Sequence, residues 1–203
     1  MVVLTKPGRP VVFTRLLRLG RLLLIGLLSG IVAGFIVGGI GSRVVMRILA
    51  ALNADQAGVL TENGNISGQI TLDGTLELLF FIGIFLGAIG GLLYVAIRRW
   101  LPWQGIWRRL AFGGLLFMAF GNAVIQRDNK DFALFGPPAL GVSLFALLFP
   151  LYGLAVASIV DRIHPYVPPL PARRVAANAA YVLLAGVAAF GLFHTVSSIK
   201  SMA

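Results

Sequence analysis

The sequence predicts an all-α integral membrane protein: a single bundle of about five transmembrane helices with a short extracytoplasmic loop resembling a β-hairpin. Of the 203 residues, 58% are hydrophobic and only 12% are charged, whereas a typical soluble domain has about 25% charged residues. The mean hydropathy is +0.92. The apolar residues gather in stretches that suit a hydrocarbon core about 30 Å thick. These observations exclude an ordinary soluble domain and a disordered chain.

Five stretches have the length and apolar character of transmembrane helices, which need about 20 such residues. They lie at about 22–41, 76–97, 106–125, 138–160 and 175–197, within one bundle over 22–200. A basic segment, 1–21, precedes the first stretch. That stretch is longer than the apolar core of a cleaved signal peptide, which has about 7–15 residues, so we expect a retained helix. The third stretch is the shortest and carries Arg108 and Arg109 near its start.

The distribution of charge predicts the orientation of these helices. Most of the 17 Lys and Arg residues lie in 1–21, in the loop after the second stretch and in the loop after the fourth. Those segments share one side if all five stretches cross. All but one of the seven acidic residues lie on the other side, and the exception is Asp161. The positive-inside rule then predicts a multi-pass plasma membrane protein with a cytoplasmic N-terminus and an extracytoplasmic C-terminus.

The net charge of +10 therefore indicates orientation, and we expect no nucleic-acid partner. The predicted partners are the lipid bilayer itself and anionic lipids at the cytoplasmic face, where each basic residue contributes about 1 kcal/mol of attraction. Three tryptophans, Trp100, Trp103 and Trp107, lie in the cytoplasmic loop between the second and third stretches. Indole rings prefer the headgroup level, so this loop is predicted to lie along the membrane surface.

Small residues recur at every fourth position in the first two stretches. Residues four apart share one helix face, and small residues on that face let another helix backbone approach closely in a membrane. The pattern predicts helix packing either within the chain or between copies in a homo-oligomer. The predicted packing residues are Gly26, Gly30, Gly34 and Gly38 in the first stretch and Gly83, Gly87 and Gly91 in the second.

The candidate polar site lies at the predicted outer face. Arg43 and Arg47 are four residues apart at the outer end of the first helix, and Glu77 begins the second stretch on the same side. Asp128 and Asp131 lie in the outer connection before the fourth stretch. One interpretation is a structural network in which an arginine pairs bidentately with a carboxylate. The other is an anion or polar-solute site at the mouth of a small channel or transporter.

The extracytoplasmic flap, 53–75, contains Asn63-Gly64 between loosely alternating apolar residues, which is a hairpin turn signal. We expect no cofactor, no metal site and no enzymatic activity. The chain has no cysteine, and its two histidines, His164 and His194, are predicted to lie nearly a bilayer apart. No phosphate-binding loop, zinc motif or nucleophile elbow is present.

Three segments resemble a group of uncharacterised multi-pass membrane proteins of actinobacterial and chloroflexal type. They are Gly41-Ser42-Arg43-Val44-Val45-Met46-Arg47, Ile70-Thr71-Leu72-Asp73-Gly74-Thr75-Leu76, and the run from Asp128 through Gly136-Pro137-Pro138. The resemblance implies no assigned activity. The sequence thus predicts a non-enzymatic integral protein of the bacterial plasma membrane, a structural helix bundle or one that binds a membrane partner protein. The alternative is a small channel or transporter with an outer-mouth site around Arg43, Arg47 and Glu77.

Overall fold

The computed structural model describes residues 11–53, 72–124, 138–163 and 174–200. Apart from Asn53 and the loop 98–105, the described residues are helical, and none of them forms a strand, so the all-α class is confirmed. Residues 54–71, which hold most of the predicted hairpin-like flap, lie outside the described residues. The helical elements are α1 (Val11–Ala33), a π-helical segment π1 (Gly34–Ile40), α2 (Gly41–Leu52), α3 (Leu72–Leu78), a second π-helical segment π2 (Leu79–Leu86), α4 (Gly87–Ile97), α5 (Ile106–Val124), α6 (Pro138–Ile163) and α7 (Arg174–Lys200).

The first two helical stretches extend beyond the predicted spans. Elements α1, π1 and α2 form one unbroken helix over 11–52, about 60 Å long at 1.5 Å per residue. The second stretch begins at Leu72, so residues 72–75 of the predicted flap are helical. A chain in or near lipid must satisfy its backbone hydrogen bonds internally, and this outweighs the weak helix preference of Asp73 and Gly74.

Among the described residues, four helices are long and apolar enough to cross a membrane: Leu17–Leu52, Gly74–Ile97, Ala139–Ile163 and Val182–Lys200. Their outward faces expose large apolar side chains such as Leu28, Phe80, Leu147 and Phe193. Contiguous apolar surface of this kind marks a protein that contacts lipid or a partner. Helix α5 coincides with the third predicted span but is not among these four, so a fifth crossing stays a prediction.

The packed core lies near one end of the bundle. Helix α1 packs along α4, whereas α5 lies between α6 and α7. Tyr94 of α4 meets Phe112 of α5 edge to face at 5.0 Å between ring centroids. Both rings are fully buried, together with Val156 and Val160 of α6. This core brings the C-terminal ends of α4 and α6 and the N-terminal end of α5 together.

Candidate functional site

The glycine faces of the first two helical stretches lie against each other. They meet in antiparallel order, with Gly26 beside Gly91, Gly30 beside Gly87 and Gly34 beside Gly83. A Cβ atom added at Gly34 would lie 2.6 Å from the Cα of Gly87, and one added at Gly87 would lie 2.6 Å from the Gly30 carbonyl oxygen. Only glycine permits this backbone-to-backbone approach.

The register of this contact shifts by one residue at the π-helical segments. The i→i+5 hydrogen bonds of a π-helix place one extra residue in each turn. The buried face therefore passes from Gly34 to Gly39, whose added Cβ would lie 3.4 Å from the Leu79 Cα. Gly38, which the fourfold spacing placed on this face, lies beside Ile82.

A tyrosine of α6 packs against another face of α4. The Tyr152 hydroxyl donates a hydrogen bond of 2.7 Å to the Gly87 carbonyl oxygen, and the ring lies over Gly90, where an added Cβ would be 2.9 Å from ring carbons. A buried tyrosine hydroxyl needs such an acceptor. Because Gly90 has no side chain, α6 can pack closely against α4.

A second close approach joins α5 to α6. A Cβ at Gly113 would lie 2.5 Å from the Pro150 Cα, and one at Gly153 would lie 2.6 Å from the Arg109 carbonyl oxygen. Sequence reasoning missed this pair because each glycine lies outside a repeating pattern. This contact sets the position of α5 along the axis of α6, and it places Arg109 beside the last turns of α6.

Beside the last turns of α6, the carboxylate of Asp161 contacts a group of basic side chains. Its Oδ2 accepts a hydrogen bond of 3.1 Å from Arg108 Nη2, and Arg109 Nε lies 3.6 Å from the same oxygen. Its Oδ1 accepts a hydrogen bond of 3.3 Å from the Tyr94 hydroxyl and lies 3.8 Å from Arg98 Nη1. One carboxylate therefore links the ends of α4, α5 and α6.

Ser158 completes this group, which we call the Asp161 cluster (Asp161, Arg98, Arg108, Arg109, Tyr94 and Ser158). Arg109 Nη1 donates a 2.9 Å hydrogen bond to Ser158 Oγ. Ser158 Oγ in turn donates to the Leu154 carbonyl oxygen at 2.6 Å. Ser158 lies one helical turn before Asp161, so α6 presents both acceptors to Arg109 from one face.

The Asp161 cluster carries more positive than negative charge. Three guanidinium groups share one carboxylate, and their side chains are 9%, 28% and 31% exposed for Arg98, Arg108 and Arg109. Burial lowers the pKa of the Arg98 guanidinium, whereas Tyr94 and Asp161 raise it. Arg98 Nη1, Arg108 Nε and Arg109 Nε are buried with no hydrogen-bond partner among the described residues.

The loop between α4 and α5 lies beside this cluster. Trp103 of this loop is exposed, as is Trp107 in the first turn of α5. The Arg99 guanidinium stacks over the Trp100 ring at 4.1 Å from its centroid. Trp103 adopts a left-handed backbone conformation with φ of 66°, which costs an L-residue about 1–2 kcal/mol. The loop thus presents indole rings and a cation outward, as a segment at a headgroup layer does.

The predicted outer site is only partly described. Arg43 is half-buried, and its Nε has no hydrogen-bond partner among the described residues, while Arg47 lies one turn further on and is exposed. Asp128 and Asp131 lie outside the described residues, as does the side chain of Glu77. The network among them stays a prediction.

Sequence reasoning placed Asp161 alone on the basic side of the membrane but did not assign it partners. That isolation was the available signal, because a single carboxylate among arginines at helix ends favours an ion-pair network.

His194 packs between Phe190 and Phe193, with distances between ring centroids of 4.5 Å and 5.7 Å. Within the described ranges no group of three His, Asp or Glu side chains could hold a metal ion.

Comparison of the chain with protein-family models, curated proteins and solved structures found no match. The functional interpretation therefore depends on the contacts described above.

Proposed function

We propose that this chain is a non-enzymatic integral protein of the bacterial plasma membrane, a five-span helix bundle with a structural or partner-binding role. The Asp161 cluster is the observation that supports this most directly. Its polar side chains join α4, α5 and α6 to one another. A catalytic centre would instead need a nucleophile or acid–base pair facing a substrate.

In this proposal the N-terminus is cytoplasmic and the C-terminus extracytoplasmic. The end of the bundle that holds the Asp161 cluster also carries the exposed Arg99 and Arg162, which supports a cytoplasmic position for that end. Helix α5 is the third span along the chain and completes the five. It is 19 residues long, about 28 Å at 1.5 Å per residue, close to a hydrocarbon core of about 30 Å. Arg108 and Arg109 lie near its start, and their long side chains reach towards the headgroups.

Single-cysteine labelling tests this topology, because the natural chain has no cysteine. Gln104→Cys and Ser201→Cys would each be treated in intact cells with a membrane-impermeant maleimide. We expect Ser201→Cys to react at once and Gln104→Cys only after permeabilisation. Equal reactivity at both positions would contradict a crossing by α5, because both sites would then face the same side.

The second candidate function is a small channel or transporter for an anion or polar solute. Its supporting observation is the half-buried Arg43 at the opposite end, whose Nε has no hydrogen-bond partner in the part of the chain that the structure describes. An ionisable group within a membrane-spanning helix is a functional candidate by default. Flux into proteoliposomes distinguishes the two. Anion flux that is lost in Arg43→Gln but kept in Arg18→Gln, which removes an exposed arginine of α1, would favour the transporter.

A further inference from the structure

The Asp161 cluster has two positive charges that no described carboxylate balances. Each of its three guanidinium groups has a nitrogen within 4 Å of Asp161, so the three cations are also close to one another. Like charges at such separations repel, and the repulsion is stronger where water is excluded. A second anion at this position would remove that repulsion.

The buried Arg98 is the clearest sign that a partner is missing. More than nine-tenths of its side chain is buried, and Nη1 has no hydrogen-bond acceptor among the described residues. Its distance of 3.8 Å from Asp161 Oδ1 exceeds the range of a hydrogen bond. Leaving a buried charged donor without an acceptor costs more free energy than leaving a neutral one unpaired.

Access to the cluster comes from the side of α5. The Arg108 and Arg109 side chains are each about one-third exposed, and the exposed Trp107 precedes them. These residues begin a helix that enters the hydrocarbon region in the proposed topology. Their guanidinium groups therefore lie at the depth of the lipid headgroups, where phosphate is the abundant anion.

We propose that the Asp161 cluster binds a phosphate group, with Arg108 and Arg109 as its ligands and the buried Arg98 as a third positive charge behind them. Guanidinium forks match phosphate oxygens in pairs. A phosphate monoanion or dianion on the exposed edges of Arg108 and Arg109 balances the surplus charge, including that of Arg98, whose Nη1 is itself enclosed by the protein. The inference rests on the proposed placement of this chain in a bilayer, which the cysteine labelling tests separately.

The test uses the full chain in a neutral detergent, with two variants that remove one positive charge from adjacent positions. Arg98→Gln removes the buried charge, whereas Arg99→Gln removes the exposed arginine stacked on Trp100. Phosphatidylglycerol, phosphatidylcholine and inorganic phosphate are titrated separately, and native mass spectrometry reports the apparent Kd of each. Size-exclusion profiles and circular dichroism show whether each variant folds.

We expect the wild type and Arg99→Gln to bind phosphatidylglycerol alike. Arg98→Gln should bind at least about tenfold more weakly, since the charge that it removes lies where little water screens its attraction for the phosphate. Tighter binding of phosphatidylglycerol than of inorganic phosphate identifies a lipid headgroup as the source of the phosphate group. Equal affinity for the two identifies a soluble phosphate as the source. Equal weakening in both variants, or none in Arg98→Gln, would overturn the proposal.

Asp161→Asn keeps the test decisive if Arg98→Gln does not fold. Removing the carboxylate raises the positive surplus and frees donors, so phosphate should bind more tightly, by about tenfold. A merely structural cluster predicts lower stability with unchanged or weaker binding, and that result would overturn the site. If cysteine labelling supports five spans but phosphate does not bind, only this inference fails and the proposed function stands.

Discussion

Replacement of Gly91 by alanine is expected to destabilise the bundle, whereas the same replacement at Gly114 is expected to stabilise it. A Cβ at Gly91 would lie 2.6 Å from the Gly30 Cα and 2.7 Å from the Gly30 nitrogen. Non-bonded carbon atoms pack at about 3.5–4.0 Å, so α1 and α4 would have to separate by about 1 Å. A Cβ at Gly114 in α5 meets nothing within 4 Å.

The magnitude follows from two opposing terms. Alanine is favoured over glycine in a helix by about 0.8–1.0 kcal/mol, and this gain applies at both positions. Overpacking costs about 1–3 kcal/mol, and here the obstructing atoms are backbone atoms that cannot rotate away. We therefore expect Gly91→Ala to lose about 1–2 kcal/mol in the free energy of unfolding and Gly114→Ala to gain about 0.5–1 kcal/mol.

The assay is reversible unfolding of the purified chain in mixed micelles as the denaturing detergent fraction is raised, followed by circular dichroism. The opposite signs matter more than either value, since the two variants share composition and helix propensity. If Gly91→Ala is as stable as Gly114→Ala, the close approach of α1 to α4 is refuted.

Three further outcomes follow from the same contacts and are measured by the same unfolding assay. Asp161→Asn should lower the free energy of unfolding by about 2–4 kcal/mol. This is less than the full cost of breaking a buried ion pair, because the cluster is partly exposed. A loss no larger than that of Arg99→Gln would contradict the pairing. Tyr152→Phe should cost about 0.5–1.5 kcal/mol through its lost hydrogen bond to Gly87, and an unchanged midpoint would argue against that bond. Trp103→Gly should raise stability in detergent by up to about 1 kcal/mol by relieving its left-handed backbone, and a loss would show that the indole contributes more than the strain costs.

Much of the architecture could be predicted because its causes are local. Helices and their approximate positions follow from apolar length, and the sequence placed α5 within a residue of its observed ends. The fourfold spacing of Gly26, Gly30 and Gly34 indicated a face made for close contact. The pairing of that face with Gly83, Gly87 and Gly91 was one of two alternatives that the spacing left open.

Other features depend on contacts between distant parts of the chain. The π-helical segments shift the buried face from Gly38 to Gly39, a change that a regular helical period cannot predict. The contacts of the Asp161 cluster join residues 49 to 67 positions apart. They depend on the close approach at Gly113 and Gly153, which sets the position of α5 along α6. No local pattern marks either glycine as an interface residue.

A disulfide between residues 26 and 95 tests most directly whether the glycine-faced helices pack within one chain. A Cβ at Gly26 would lie 3.3 Å from the Val95 Cβ and 2.9 Å from the Gly91 carbonyl oxygen. A shift of a few tenths of an ångström relieves the second contact and brings the two Cβ atoms to the separation of about 3.5–4.5 Å in a disulfide. In a chain without other cysteines, Gly26→Cys combined with Val95→Cys should oxidise to an internally linked monomer on a non-reducing gel. Disulfide-linked dimers after co-expression of the two single variants, with no internal link in the double variant, would contradict packing within the chain.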